Sequence, residues 1–209
     1  FLAIMSMHSL SAKVGLISSI IAFFTFKRFP ITIPLVAFIV PFFLLAFPIF
    51  YTLAEPAILS NAFILSHLPE SSIHRLHIWQ VMLQEIHERP ILGWGMNATR
   101  ILPPSAEQLT SIHLDAPPLH PHNTSLQLLV EEGIIGLFMS VAAIIVLLRE
   151  WVKMPKEESF YPTGAGALLV AYIVTGVSSF GIWQNWWMAS LCLAAAFWRW
   201  MSIKRPAAI

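Results

Sequence analysis

Charge is what this chain has least of. Its 209 residues include 12 Lys+Arg and 11 Asp+Glu, so 11% are charged against 57% hydrophobic, with a formal net charge of +1. A soluble domain carries about 25% charged residues, so composition points to an integral membrane protein. The near-zero, dispersed charge excludes nucleic acid as a partner. A single cysteine, Cys192, excludes a disulfide framework and reads as a small packing residue. No G-x-S-x-G elbow, H-E-x-x-H pair or phosphate-cradling glycine loop occurs, which argues against a serine hydrolase, a zinc protease and direct ATP or NAD chemistry. No basic n-region precedes an apolar stretch: the chain opens Phe1-Leu2-Ala3, and the opening predicts the C-terminal part of a longer protein.

What is present is apolar sequence in long runs, roughly Val14–Phe26, Phe29–Leu53, Leu126–Leu148, Gly164–Ile182 and Trp186–Trp198. A helical span needs about 20 such residues. The expectation is therefore an all-α integral membrane protein with five transmembrane helices, at about 9–26, 29–53, 125–148, 163–182 and 184–201. Basic residues fall at Lys27-Arg28, at Arg149, Lys153 and Lys156, and at Lys204-Arg205. Placing all three groups on the cytoplasmic side lets the five spans alternate without conflict. Trp183, Trp186 and Trp187 then fall at an outer turn, where an aromatic belt is expected.

That topology leaves residues 54–124 as one long outside loop, which holds seven of the eight histidines. Loops of this length without a function are uncommon. Its middle predicts a helix capped by Ser71 or Ser72 and stopped at Pro90. At 100° per residue, Leu76, Ile78, Trp79, Met82, Leu83 and Ile86 share one face, and His74, His77, Gln80, Gln84, Glu85, His87 and Glu88 the other. Arg75 breaks the pattern by projecting into the apolar face. It either snorkels or stacks on Trp79, or it holds a guanidinium where it can grip phosphate oxygens bidentately. Gly93-Trp94-Gly95 reads as a tight turn with an interfacial indole. The segment between Pro103-Pro104 and Pro117-Pro118 reads as an irregular flap.

Chemistry concentrates where this loop meets the third span. In Leu119-His120-Pro121-His122-Asn123, two imidazoles that titrate near neutrality flank a proline. Asn123 or Thr124 caps the helix that follows, and Asn123, Gln127 and Glu131 line one stripe of it at i, i+4 and i+8. A carboxylate that deep faces a cavity or a partner, unless the helix starts shallow. Gly133 and Gly136 would allow another helix to approach. A zinc site from His120 and His122 with His113 or Asp115 has no spacing that fixes its geometry. A metal-free site remains, with a histidine base beside cations for a pyrophosphate.

Three segments in this order, Arg75-x-x-x-Trp79, Arg89-Pro90-Ile91-Leu92-Gly93-Trp94-Gly95 and His122-Asn123-x-x-Leu126-Gln127-x-x-x-Glu131-x-Gly133-x-x-Gly136, resemble the C-terminal core of the O-antigen ligase and O-antigen polymerase superfamily. The resemblance implies a fold like that of the helical GT-C membrane glycosyltransferases and a multi-pass location in the bacterial inner membrane, with a periplasmic catalytic loop. It implies no cofactor and no metal. The donor would be a glycan on undecaprenyl pyrophosphate and the acceptor lipid A-core or a growing glycan. His122 would be the catalytic residue, and Arg75 would bind the pyrophosphate, with Arg100 or Lys13 (in Ser11-Ala12-Lys13) as a further cation. His120, Asn123, Gln127, Glu131 and Trp79 would be auxiliary. O-antigen ligation is the leading expectation. The alternatives are O-antigen polymerase, a protein O-oligosaccharyltransferase and, from other classes, a multi-span transporter or channel or a metal-binding module.

Overall fold

A computed structural model of the chain describes residues 10–102, 120–152, 160–177 and 181–203. Among them the regular structure is helical: α1 (Leu10–Arg28), α2 (Thr32–Leu59), α3 (Ala62–His67), α4 (Glu70–Glu88), a single 3₁₀ turn (Ala98–Arg100), α5 (Thr124–Val152), α6 (Phe160–Gly176) and α7 (Asn185–Ile203). Helices stand at all five expected spans. Two of them, α2 and α5, are long and apolar enough to cross a membrane among the described residues, while Thr163–Gly176 is a shorter apolar helix. The second span extends six residues past its expected end at 53, because Pro56 is accommodated inside α2 together with Pro41 and Pro48. The proposed flap, His113 and Asp115, and Lys153, Lys156, Lys204 and Arg205 lie outside the described residues.

The chain divides into two units, Phe1–Ile39 with Ile145–Ile209, and Val40–Ile144. In the first, α1 lies antiparallel to α6. Gly15 sits against Ala171 and Thr175, and Gly166 sits against the rings of Phe26 and Trp151. Small residues at such positions let apolar helices approach closely. Trp187 stacks on Tyr172 with ring centroids 4.1 Å apart. Cys192 is exposed rather than packed, on an apolar flank of α7. Lys13 belongs to this unit and is half-buried on α1.

The second unit is built around α4. Its buried residues are Leu76, Ile78, Val81 and Met82, and Ile78, Val81 and Met82 form a core with Val130, against which Trp79, Ile86, Trp94 and Leu102 pack. The amphipathic reading of this helix holds, with Val81 added to its buried face. The expected serine cap does not form: α4 begins one residue after Pro69, with no side-chain cap bond, and Ser71 and Ser72 lie within its first turn.

The third expected span is broken. Gly133 has φ 65° and ψ −168°, which interrupts α5 between a short N-terminal stub and residues 134–152. At 1.5 Å per residue the second piece is roughly 28 Å long, close to the thickness of a hydrocarbon core of about 30 Å. The expectation that Gly133 and Gly136 admit a second helix is thereby corrected. What approaches at Gly133 is the backbone of Ile91 and Leu92, and a Cβ on Gly136 would meet the side chain of Glu132 on its own helix.

Candidate functional site

The break in α5 is filled by the Pro90–Gly95 segment. An unbroken helix would pair the Val130 and Glu131 carbonyls with the N–H groups of residues 134 and 135. Instead the Trp94 N–H donates to the Val130 carbonyl at 2.9 Å and the Gly95 N–H to that of Glu131 at 2.7 Å. The Ile134 N–H donates to the Pro90 carbonyl at 2.9 Å and the Ile135 N–H to that of Ile91 at 3.3 Å. All four groups freed by the break are satisfied by one loop, as low-dielectric surroundings demand. The insertion needs glycine on both sides. Gly93 and Gly133 each have φ 65°, and a Cβ on either would run into the other strand's backbone. The Arg-Pro-Ile-Leu-Gly-Trp-Gly and Glu-x-Gly segments are thus two halves of one interlock. The Trp94 indole is half-buried and donates to the Glu85 carbonyl at 3.0 Å, and the Arg89 guanidinium lies 4.1 Å over its ring. A discontinuous helix is also a transporter feature, but there the freed groups face a path, whereas here the chain's own loop occupies them.

The interlock places Glu131. This residue is 0% exposed, and its carboxylate accepts from the Thr99 hydroxyl at 2.6 Å and the Thr99 N–H at 3.4 Å. Gln127 Nε2 donates to both carboxylate oxygens at 3.3 and 3.4 Å. The polar stripe therefore exists, and Asn123 begins it by capping α5, its Oδ1 accepting from the Leu126 N–H at 3.1 Å. Asn123 and Gln127 are both buried. Thr99 has no signal in the local sequence; a buried carboxylate requires a donor, but nothing in residue spacing names this one.

The His-Pro-His segment is held from the opposite side. Trp79 Nε1 donates to the Pro121 carbonyl at 2.7 Å. The indole meets Tyr51 edge-on at 5.0 Å and Phe47 at 5.3 Å, and the Tyr51 hydroxyl donates to the Leu76 carbonyl at 2.9 Å. Trp79 is thus a clamp on the proline between the two histidines. The His120 and His122 rings meet edge-to-face with centroids 4.3 Å apart. His122 adopts φ 53°, a left-handed conformation that costs a non-glycine residue about 1–2 kcal/mol and that is held here by the Pro121 clamp and the Asn123 cap. His120 Nδ1 is buried with no hydrogen-bond partner among the described residues. Burial first, then the neighbouring His122 and the charge of Arg100, lower its pKa to about 4.

The predicted cations separate. Arg75 is half-buried, one helical turn before Trp79 and therefore on the face that clamps Pro121. Arg100 is exposed at the end of the 3₁₀ turn and near enough to His120 for its charge to be felt there. Lys13 belongs to the other unit, and the second unit carries His120, His122, Arg75 and Arg100. Among the described residues no three His, Cys, Asp or Glu side chains gather at a spacing that could hold a metal.

Residues 1–141 match a family model described as O-antigen ligase. Proteins named "Putative polysaccharide ligase" from Rickettsia conorii, Rickettsia felis and Rickettsia typhi are each 31% identical over 149 residues, or 70% of this chain. The aligned region is 35% of the first relative and 36% of the other two, so the chain spans about a third of the curated relatives it matches. No solved structure matches. The matched region takes in the whole of α4, the inserted loop, the His-Pro-His segment and the break in α5, and the chain belongs to the O-antigen ligase family.

Proposed function

We propose that the chain forms the site-bearing part of a glycan transferase. It would move an oligo- or polysaccharide from undecaprenyl pyrophosphate to an acceptor at the periplasmic face of the bacterial inner membrane, with ligation of O-antigen to lipid A-core as the reaction. The observation that carries this reading is the geometry around Pro121. One indole and one helix cap hold His122 in a left-handed backbone conformation, beside a second imidazole and within a unit that also carries Arg75 and Arg100. Strained, over-determined backbone of this kind is concentrated at functional sites.

In this mechanism the His122 imidazole accepts the proton of the acceptor hydroxyl as that oxygen forms its bond to the anomeric carbon. The bond between that carbon and the pyrophosphate oxygen breaks, and undecaprenyl pyrophosphate leaves with its charge held by Arg75 and Arg100. A positioned base contributes roughly 10²–10⁴-fold, and cationic stabilisation of the leaving group adds several kcal/mol where water is excluded. His120, kept neutral first by burial and then by the neighbouring His122 and the charge of Arg100, shapes the site without adding to its charge. The mechanism calls for no metal.

The test is made in the complete protein, expressed in a strain lacking its own ligase, with surface polysaccharide followed by gel. His122→Ala is expected to abolish glycan transfer, and Arg75→Ala to reduce it about 100-fold, the scale of losing a donor to a developing anion. Normal capped lipopolysaccharide from both variants at normal protein levels would overturn the assignment. Loss of transfer on treatment with a chelator would replace it with a metal-dependent reaction.

A further inference from the structure

Glu131 holds both ends of one short segment. Its main-chain carbonyl, released by the break at Gly133, accepts from the Gly95 N–H, and its carboxylate accepts from the N–H and hydroxyl of Thr99. Between these anchors Asn97 turns through φ 63° and the 3₁₀ turn closes, the Arg100 N–H donating to the Asn97 carbonyl at 3.1 Å. Ala98 and Thr99 are buried, and Leu102 packs on the Ile78–Val130 core. The two residues directly before Arg100 are therefore buried and anchored, while Arg100 itself is exposed. A buried carboxylate that accepts three or more hydrogen bonds is costly to form and rigid once satisfied.

We infer that Glu131, acting through Thr99, is a positioning residue that aims the Arg100 guanidinium at the donor pyrophosphate. The inference rests on the glycan-transfer reading above, and it assigns the buried acid of the α5 stripe to leaving-group recognition instead of proton transfer. Glu131 reaches the reaction only through the turn it holds. Its carboxylate has no role as acid or base.

The decisive comparison is a double-variant cycle in the complete protein, with transfer measured against varied lipid-pyrophosphate donor and varied acceptor. Thr99→Val keeps the side-chain shape and removes the hydroxyl. It is expected to lower kcat/KM for the donor about 10-fold, the scale of one hydrogen bond to a charged group, and to leave the KM for the acceptor unchanged. Thr99→Ser, which restores the hydroxyl, is expected to return donor kcat/KM to within about 2-fold of the parent. In an Arg100→Ala background Thr99→Val should add nothing, because two residues acting as a unit are not additive. An equal effect of Thr99→Val with and without Arg100, or a rise in acceptor KM of the same size, would overturn the inference. So would a neutral Arg100→Ala, and if His122→Ala were still inactive the transfer reading would survive that result. Activity is normalised to membrane-inserted protein, so a variant that folds poorly is not mistaken for one that aims poorly.

Discussion

The two units differ in how far their side-chain hydrogen bonds reach, although both contain local ones, such as that from Thr52 to the Pro48 carbonyl in the second. In the unit of residues 1–39 and 145–209, the hydroxyls of Ser19, Thr175 and Ser190 donate to carbonyls three or four residues back on their own helices. The helices then meet through glycine and aromatic surfaces. In the unit of residues 40–144, Tyr51, Trp79, Trp94 and Thr99 all bond to other segments, over sequence separations of 9 to 42 residues. Local satisfaction makes each helix self-sufficient in an apolar setting. Cross-segment bonding makes each element depend on another, and it is what can hold a catalytic group against strain. The first unit is held together by helix packing, and the second also by hydrogen bonds between its segments.

The sharpest way to break this comparison is to add one methyl group to each unit. Gly133→Ala forces a Cβ into the Ile91 carbonyl at a positive φ, and is expected to cost about 3 kcal/mol or more. Gly15→Ala meets the side chain of Thr175, which can rotate away, and is expected to cost about 1 kcal/mol or less. Thermal unfolding of detergent-solubilised protein compares them, and equal losses would end the distinction.

A smaller effect is expected from a paired tryptophan exchange. Trp79→Phe keeps the aromatic packing and loses the bond to Pro121, about 0.5–1.5 kcal/mol, and should reduce transfer by freeing the His-Pro-His segment. Trp187→Phe keeps its stack on Tyr172 and should leave transfer unchanged. If the two lose transfer equally, the site does not belong to the second unit alone.

A pH dependence is also expected in the second unit. His120 has a folded-state pKa near 4, below its ordinary 6.5, so the unfolded chain binds the proton more readily. Stability is therefore full above about 6.5 and declines as the pH falls from there to about 4. In His120→Gln that decline should flatten in melts recorded between pH 7.5 and pH 4.5. An unchanged slope would assign it to other groups.

Much of the site was legible in residue spacing. The buried face of α4, the Asn123 cap and the Asn123–Gln127–Glu131 stripe all follow from 3.6-residue periodicity, because helical neighbours are set by local geometry. The start of α4 was misread because Ser71 and Ser72 have cap chemistry, yet Pro69, with its preset φ, opens the helix instead. Thr99 and the Tyr51–Trp79–Pro121 clamp were not legible, since each joins segments that share no local pattern.

By itself the sequence determined the all-helical class, the places of the apolar helices and the family, because hydrophobic runs and short motifs act over a few residues. Only the tertiary structure decided that the glycines of two separate motifs meet. The Gly133 break is tolerable because a loop some forty residues earlier supplies its hydrogen bonds, and neither segment's backbone could be satisfied there alone. That same pairing turns Glu131 from an isolated buried acid into the anchor of the turn bearing Arg100.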